Sequence, residues 1–344
     1  MNRPFFSICI AAYDAQRFID ECLESILAQD CHDYEVIIVD DGSLQPLVLD
    51  KAICTLLPSC KLIRTDNGGP YAARQTAFEV AGGMAVLCID SDDKLHDPSA
   101  LSKIKRAFEN GADIVLFNAT SSERKSSLMF DFSALGEGGP VEEDSVWALF
   151  SKGYSLNSLC CKAFKRSIYS KGEINRPRLL MAEDRLQCLE IMSRARSYWL
   201  INEPLYFYRP NPSSTTNAGY NPAYFAQVCY VEEEVVAYME RRGMPLGSWA
   251  RYFLSYTSSA LLGVRYNRNL NFAARRDSYA SVRGERIVGL AAERCAVGSL
   301  AKVDALRLRL MLDNRYTALD ASMLPWRIGS AIKRLARRGV ERRI

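Results

Sequence analysis

The sequence predicts an α/β fold, a doubly wound and mostly parallel sheet with a C-terminal helical extension. Three observations carry that expectation. Short apolar runs alternate with helix-period segments through residues 1–117, the alternation that builds parallel strands joined by helices. Two of these runs stop abruptly on neighbouring carboxylates, at Asp40-Asp41 and at Asp90-Ser91-Asp92-Asp93. From about residue 220 apolar residues recur at helical spacing without any acid-ended run.

The elements follow in order. Phe5 to Ala12 reads as a buried strand that opens into Tyr13-Asp14. A helix is expected over 17–29, where Phe18, Ile19, Cys22, Leu23, Ile26 and Leu27 share one face. Tyr34 to Val39 is a second strand, and a helix over 47–57 leads to a short strand at 61–64. The loop Asn67-Gly68-Gly69-Pro70 precedes a helix over 71–80 that carries Arg74 one turn in. Glycines before a helix let backbone N–H groups approach an anion, and an arginine adds charge there. Met84 to Ile89 is short, apolar and preceded by Gly82-Gly83, which suits a strand buried on both faces. A helix over 98–110 and a strand over 113–117 complete the alternation. Residues 118–140 read as a long loop or a β excursion, and the runs 146–152 and 159–166 are mixed. A helix is expected to begin at Glu183-Asp184, followed by short strands at 199–201 and 205–208 and the polar loop 209–215. The domain division is 1–219 and 220–344.

Composition narrows the chemistry. With 344 residues, 48% hydrophobic and 24% charged, the chain is an ordinary globular protein in size and polarity. No apolar run approaches the roughly 20 residues that span a bilayer. The eleven cysteines are scattered without a C-x-x-C pair, which suits a reducing compartment. Two histidines leave little for histidine-based zinc or triad chemistry, so catalysis must rest on carboxylates, a metal, lysine or arginine. Residues 325–344 hold seven Lys/Arg against one Glu, in a chain of net charge +4. That basic, amphipathic tail suits an anionic membrane surface or, equally, a solvated or packed segment, and the chain lacks the spread basic face of a nucleic-acid binder.

A strand that ends in carboxylates delivers them to the carboxyl edge of the sheet, where open α/β folds bind ligands. Three acids within four residues at Asp90, Asp92 and Asp93 repel one another. A hard divalent ion, Mg²⁺ or Mn²⁺, relieves that repulsion and takes its other ligands from a phosphorylated substrate. The bland alternative is a polar turn of Asp and Ser.

The order Ser7-Ile8-Cys9-Ile10-Ala11-Ala12-Tyr13-Asp14, Val39-Asp40-Asp41-Gly42-Ser43, Asn67-Gly68-Gly69, Ala73-Arg74 and Asp90-Ser91-Asp92-Asp93 resembles a family 2 glycosyltransferase of GT-A fold. The resemblance spans roughly residues 5–215. Ala11 stands where the family usually has Pro, Asp14 where it usually has Asn, and Ala77 where Gly is common. The resemblance implies a nucleotide-sugar site made by Ala11, Tyr13, Asp14, Asp40, Asp41, Asn67, Gly68, Arg74, Asp90 and Ser91. Asp41 would hold the base or ribose, with Asp40 in support. Asp92 would ligate Mn²⁺ or Mg²⁺, and Asp93 would support or cap the turn. Met181-Ala182-Glu183-Asp184 resembles the element whose acid is the catalytic base of inverting members, which makes Asp184 the expected base; acids also favour a helix N-terminus on their own. Lys162, Arg209 and Ser213-Ser214-Thr215 match looser family positions near the diphosphate or acceptor, although a Lys or Arg is more often a solvated surface charge.

The resemblance thus implies transfer of a sugar, with inversion, from a nucleotide diphosphate donor (a UDP-sugar) to a saccharide or lipid-linked saccharide acceptor. It places the protein in bacterial surface polysaccharide synthesis, cytoplasmic or peripheral at the inner membrane face. A sugar-nucleotide nucleotidyltransferase would instead carry a Gly-rich basic loop directly after the first strand, where this chain has Ala11-Ala12-Tyr13-Asp14. A non-catalytic nucleotide-sugar-binding protein on the same scaffold would have no need of both the Asp90/Asp92 pair and Asp184.

Overall fold

The computed structural model describes residues 3–122, 128–153, 156–169, 177–210 and 220–323. The chain divides into two compact units, Met1–Thr216 and Asn217–Ile344. Ser213 to Thr215, the stretch 123–127 and the basic tail 324–344 lie outside the described residues.

The first unit is α/β. In chain order it holds β1 (Phe6–Ala12), α1 (Ile19–Leu27), β2 (Tyr34–Asp41), α2 (Lys51–Leu56), β3 (Cys60–Thr65), α3 (Pro70–Val80), β4 (Ala85–Asp90) and β5 (Lys94–Leu95). There follow α4 (Ala100–Glu109), β6 (Ile114–Thr120), β7 (Leu128–Phe130), β8 (Gly139–Val141), α5 (Glu143–Ser151), β9 (Lys162–Lys165), α6 (Glu183–Met192) and β10 (Tyr198–Phe207). The sheet runs β3-β2-β1-β4-β9-β6-β10-β5, with β7 on β6 and β8 on β10. The strands β3, β2, β1 and β4 are mutually parallel, and β10 lies parallel to β6. Their apolar runs are buried throughout, as in Ile8, Ile10, Val36 to Val39, Val86 and Leu87, because helices cover both faces of a parallel sheet.

Three local expectations change. The helix expected over 47–57 is confined to α2: Asp50 caps it by accepting from Ala52 and Ile53 N–H, and it stops before Pro58. Leu47 is drawn off by Asp40, whose carboxylate accepts its N–H at 3.0 Å. The two strands expected at 199–201 and 205–208 are one strand, β10, whose register shifts on either side of Pro204. Proline has no N–H to give the ladder, so the strand bulges there rather than ending. The mixed run at 159–166 contains β9, which lies antiparallel between β4 and β6.

The second unit is helical, with α7 (Pro222–Arg241), α8 (Gly247–Tyr266), α9 (Phe272–Gly284), α10 (Arg286–Arg294), α11 (Lys302–Leu312) and α12 (Tyr316–Ser322). Val228, Val231, Val235 and Phe253 are buried, as their helical spacing predicts. Trp249 is fully buried, stacks on Phe253 and donates to the buried Glu232 at 2.9 Å. Among the described residues no helix is long and apolar enough to cross a membrane.

Candidate active site

The carboxyl ends of β1, β2 and β4 meet in register, with Ala12 beside Asp40 and Ala11 beside Asp90. Immediately beyond β1, Tyr13 is half exposed and Asp14 takes a left-handed conformation at φ 49°. Asp14 donates its N–H to Ser43 Oγ and accepts the Leu44 N–H, both at 2.9 Å, which ties the β1 and β2 loops together.

The two acids that end β2 do different things. Asp40 accepts from Ser43 N, Ser43 Oγ, Leu47 N and Arg64 Nη1 at 2.5–3.0 Å. Burial works to raise its carboxyl, but those donors hold it below the usual range. Asp41 turns to the loop before α3, accepting Gly68 N–H on one oxygen and Gly69 N–H on the other, each at 2.8 Å. Gly42 (φ 69°) and Gly69 (φ 88°) permit that close approach; a Cβ on Gly42 would sit 2.7 Å from Asn67 N. Asn67 Oδ1 in turn accepts from Arg178.

At the end of β4 the turn closes through Asp93 N–H to the Asp90 carbonyl at 3.0 Å. Asp93 is buried and accepts from Tyr206 Oη and Arg209 N, both at 2.8 Å. The Tyr206 hydroxyl also accepts the Asp90 N–H at 3.0 Å. Burial first, and then the charge of Asp90, push the Asp93 carboxyl up to about 8. Ligand atoms of Asp90, Asp93 and Cys160 lie within 4.8 Å of one another. Burial holds the Cys160 thiol well above its ordinary pKa, and its sulfur pairs with Ser158 Oγ at 2.8 Å, so it is a poor ligand. The partly exposed carboxylates of Asp90 and Asp92 are the hard donors at this turn, and they fit Mg²⁺ or Mn²⁺. Ser91 is also partly exposed. Tyr206→Phe removes a partner from both Asp90 N–H and Asp93, and is expected to cost about 1–3 kcal/mol. Thermal unfolding measures it, and an unchanged melting temperature would show that the turn does not depend on this hydroxyl.

The third group of acids arrives with α6. Ala182, which precedes the helix, sits at φ 64°, a left-handed conformation that costs a residue with a Cβ and often marks a functional site. Arg74 on α3 is buried and donates to Asp184 Oδ1 at 2.5 Å, to Gln187 Oε1 at 3.3 Å and to Asp90 Oδ1 at 3.0 Å. Glu183 lies 4.0 Å from the same guanidinium. The other Asp184 oxygen accepts the Leu159 N–H at 3.3 Å. Burial, then the charge of Asp184, push the Glu183 carboxyl up to about 7.

Two residues depart from the surface role that their type suggests. Lys162 is buried and donates to the carbonyls of Leu156 and Ser158 at 2.8 and 2.6 Å. Arg209 donates to the Asp92 carbonyl at 2.8 Å and to Glu21 at 2.6 Å. Both hold loops that shape the site. Arg185 reaches from α6 to the Phe150 carbonyl on α5 and to Asn157 Oδ1 in the loop before β9. Sequence reasoning did not find Tyr206 or Arg185, since an aromatic residue in a strand and a charge on a helix carry no local signal of their partners.

Residues 7–172 match the family model described as Glycosyl transferase family 2. Over those residues the chain is similar to glycosyl transferase family 2. EpsH of Bacillus subtilis (strain 168), which is named as a glycosyltransferase, is 29% identical over 224 residues, 62% of this chain and 63% of EpsH. The chain therefore matches less than two thirds of that relative's length. A poly(ribitol-phosphate) beta-glucosyltransferase of Bacillus spizizenii is 36% identical over 115 residues, 32% of this chain and 18% of that protein. A crystal structure of S. aureus TarS 1–349 in complex with UDP-GlcNAc has the same fold, with a TM-score of 0.68 at 17% identity, covering 94% of this chain and 92% of that one.

Proposed function

We propose that the chain is an inverting, metal-dependent glycosyltransferase that moves a sugar from a UDP-sugar to an acceptor hydroxyl. The observation that carries this reading is one buried arginine joining the acid at the end of β4, Asp90, to the acid at the head of α6, Asp184. That brings a candidate donor-binding carboxylate and a candidate base to opposite arms of one side chain. Asp184 would take the proton of the acceptor hydroxyl. The nucleoside would lie over the ends of β1 and β2, against Ala11, Tyr13, Asp14, Asp41, Asn67 and Gly68, with Asp40 bracing the loop. Asp90 and Ser91 would meet the sugar diphosphate, and Asp92 would be the chief ligand of Mn²⁺ or Mg²⁺. Such an ion supplies charge stabilisation for the leaving diphosphate.

The UDP-GlcNAc complex of TarS supports a UDP-sugar donor. The B. spizizenii relative is named for a poly(ribitol-phosphate) acceptor, which supports a polymeric acceptor; here the acceptor would be a saccharide or lipid-linked saccharide in surface polysaccharide synthesis. Residues 1–219 would form the catalytic domain and 220–344 a helical extension. Its tail would rest on an anionic membrane at the cytoplasmic face.

The test is a thermal-shift panel of nucleotides and nucleotide sugars, with and without Mn²⁺. A UDP-sugar is expected to raise the melting temperature in the presence of Mn²⁺, since a ligand at about 100 times its Kd stabilises by about 2.7 kcal/mol. A panel in which no nucleotide sugar stabilises the protein would overturn the reading.

A further inference from the structure

We propose that Arg74 is a positioning residue that fixes the donor acid Asp90 against the base Asp184, and is not a ligand of the donor's phosphates. The inference rests on the functional reading above. Its place in the sequence, one turn into a helix that follows Gly68-Gly69-Pro70, suggests an anion contact. Its side chain goes elsewhere. Only 7% of it is exposed, and the guanidinium is spent inside the protein. Nη2 donates to Asp90 Oδ1, while Nη1 donates to Asp184 Oδ1 and Gln187 Oε1. Glu183 adds a third carboxylate at 4.0 Å.

Two consequences follow from this arrangement. Asp90 and Asp184 are 94 residues apart in sequence, on β4 and α6, yet a planar fork sets the separation of their carboxylates. A guanidinium has that fixed width; an ammonium on a flexible stem does not. The same charge also offsets the repulsion of three acids, which burial strengthens. The root of α3 is itself tied to the end of β2, through Gly68 and Gly69 N–H to Asp41. One helix therefore connects the nucleoside edge, the donor acid and the base.

The test uses the full chain and two variants. Arg74→Lys keeps the charge and loses the fork. Gln187→Met leaves Arg74 in place and removes the amide oxygen that steadies Nη1. Calorimetry gives the affinities for uridine and for UDP, and steady-state kinetics give kcat and the donor KM. Both variants are expected to keep the UDP-to-uridine affinity ratio of the wild type within about 3-fold. Their kcat is expected to fall about 100-fold, the size of loss that a misplacement of about 1 Å produces, with the donor KM little changed. A ratio that collapses about 10-fold or more in Arg74→Lys would make Arg74 a phosphate ligand and overturn the inference. So would a lower melting temperature with unchanged kcat, which would leave only a structural role. Should Arg74→Lys not fold, Gln187→Met gives the same readings. A wild type that binds neither uridine nor UDP overturns the functional reading, and this inference with it; failure in the variants alone overturns only the role of Arg74.

Discussion

Asp184→Asn is expected to lower the turnover of sugar transfer by about 10²–10⁴-fold, the usual contribution of a general base, while UDP-sugar affinity stays within a few fold. The substitution keeps the size of the side chain and removes the proton acceptor. It also leaves a single oxygen to serve both Arg74 Nη1 and the Leu159 N–H, each of which has a carboxylate oxygen now. Glu183→Gln is the companion variant. Burial and the neighbouring Asp184 push the Glu183 carboxyl up to about 7, which is near the working range of a base. Its carboxylate stands 4.0 Å from Arg74, where Asp184 is held at 2.5 Å. Loss of turnover in Asp184→Asn with retention in Glu183→Gln assigns the base to Asp184; the reverse result moves it by one residue. Near-normal turnover in Asp184→Asn would leave that acid a structural role, as the partner of Arg74 and Leu159 N–H and as an acid at the helix N-terminus. The anomeric configuration of the product, read by NMR, is a separate check, and retention would remove the single-displacement mechanism altogether.

The parts of this site that the sequence reveals are those set by local rules. An apolar run that stops on acids is legible because burial and ionisation conflict within a few residues, and β2 and β4 both end on that pattern. The start of α6 at Glu183 is legible for the same reason, since acids favour the first turn of a helix. Other parts depend on partners far away in the chain. Lys162-Ala163-Phe164-Lys165 shows no distinctive period, yet it becomes a strand because β4 and β6 leave an open lane between them. Pro204 suggests the end of a strand, but β10 continues because Leu205 and Tyr206 are fully buried beyond it. The direction of Arg74 follows from three acids placed by α6 and β4. Asp93 is expected to support or cap the turn, and the sequence does not say what holds it there: it is a buried brace because Tyr206, 113 residues later, donates to it.

Asp92→Asn is expected to abolish detectable transfer without unfolding the protein. Removal of divalent ions from the wild type by excess chelator is expected to do the same. The fold should survive because the backbone around Asp92 is fixed by other groups. Arg209 Nε holds its carbonyl at 2.8 Å, and Asp93 is anchored by Tyr206 and Arg209 N on its C-terminal side. Loss of charge stabilisation worth several kcal/mol corresponds to about 10³-fold or more in rate. A second measurement does not depend on turnover. In the wild type the thermal shift caused by UDP should grow on adding Mn²⁺, and in Asp92→Asn that increment should vanish while the shift from the nucleotide alone persists. Asp93→Asn should behave differently, because an amide cannot meet both Tyr206 Oη and Arg209 N as acceptor with its two terminal atoms. It should lower the melting temperature and keep part of the Mn²⁺ increment. Full transfer activity in excess chelator, or an unchanged Mn²⁺ increment in Asp92→Asn, would take the metal away from this turn and leave its acids a role in ordering the sugar donor alone.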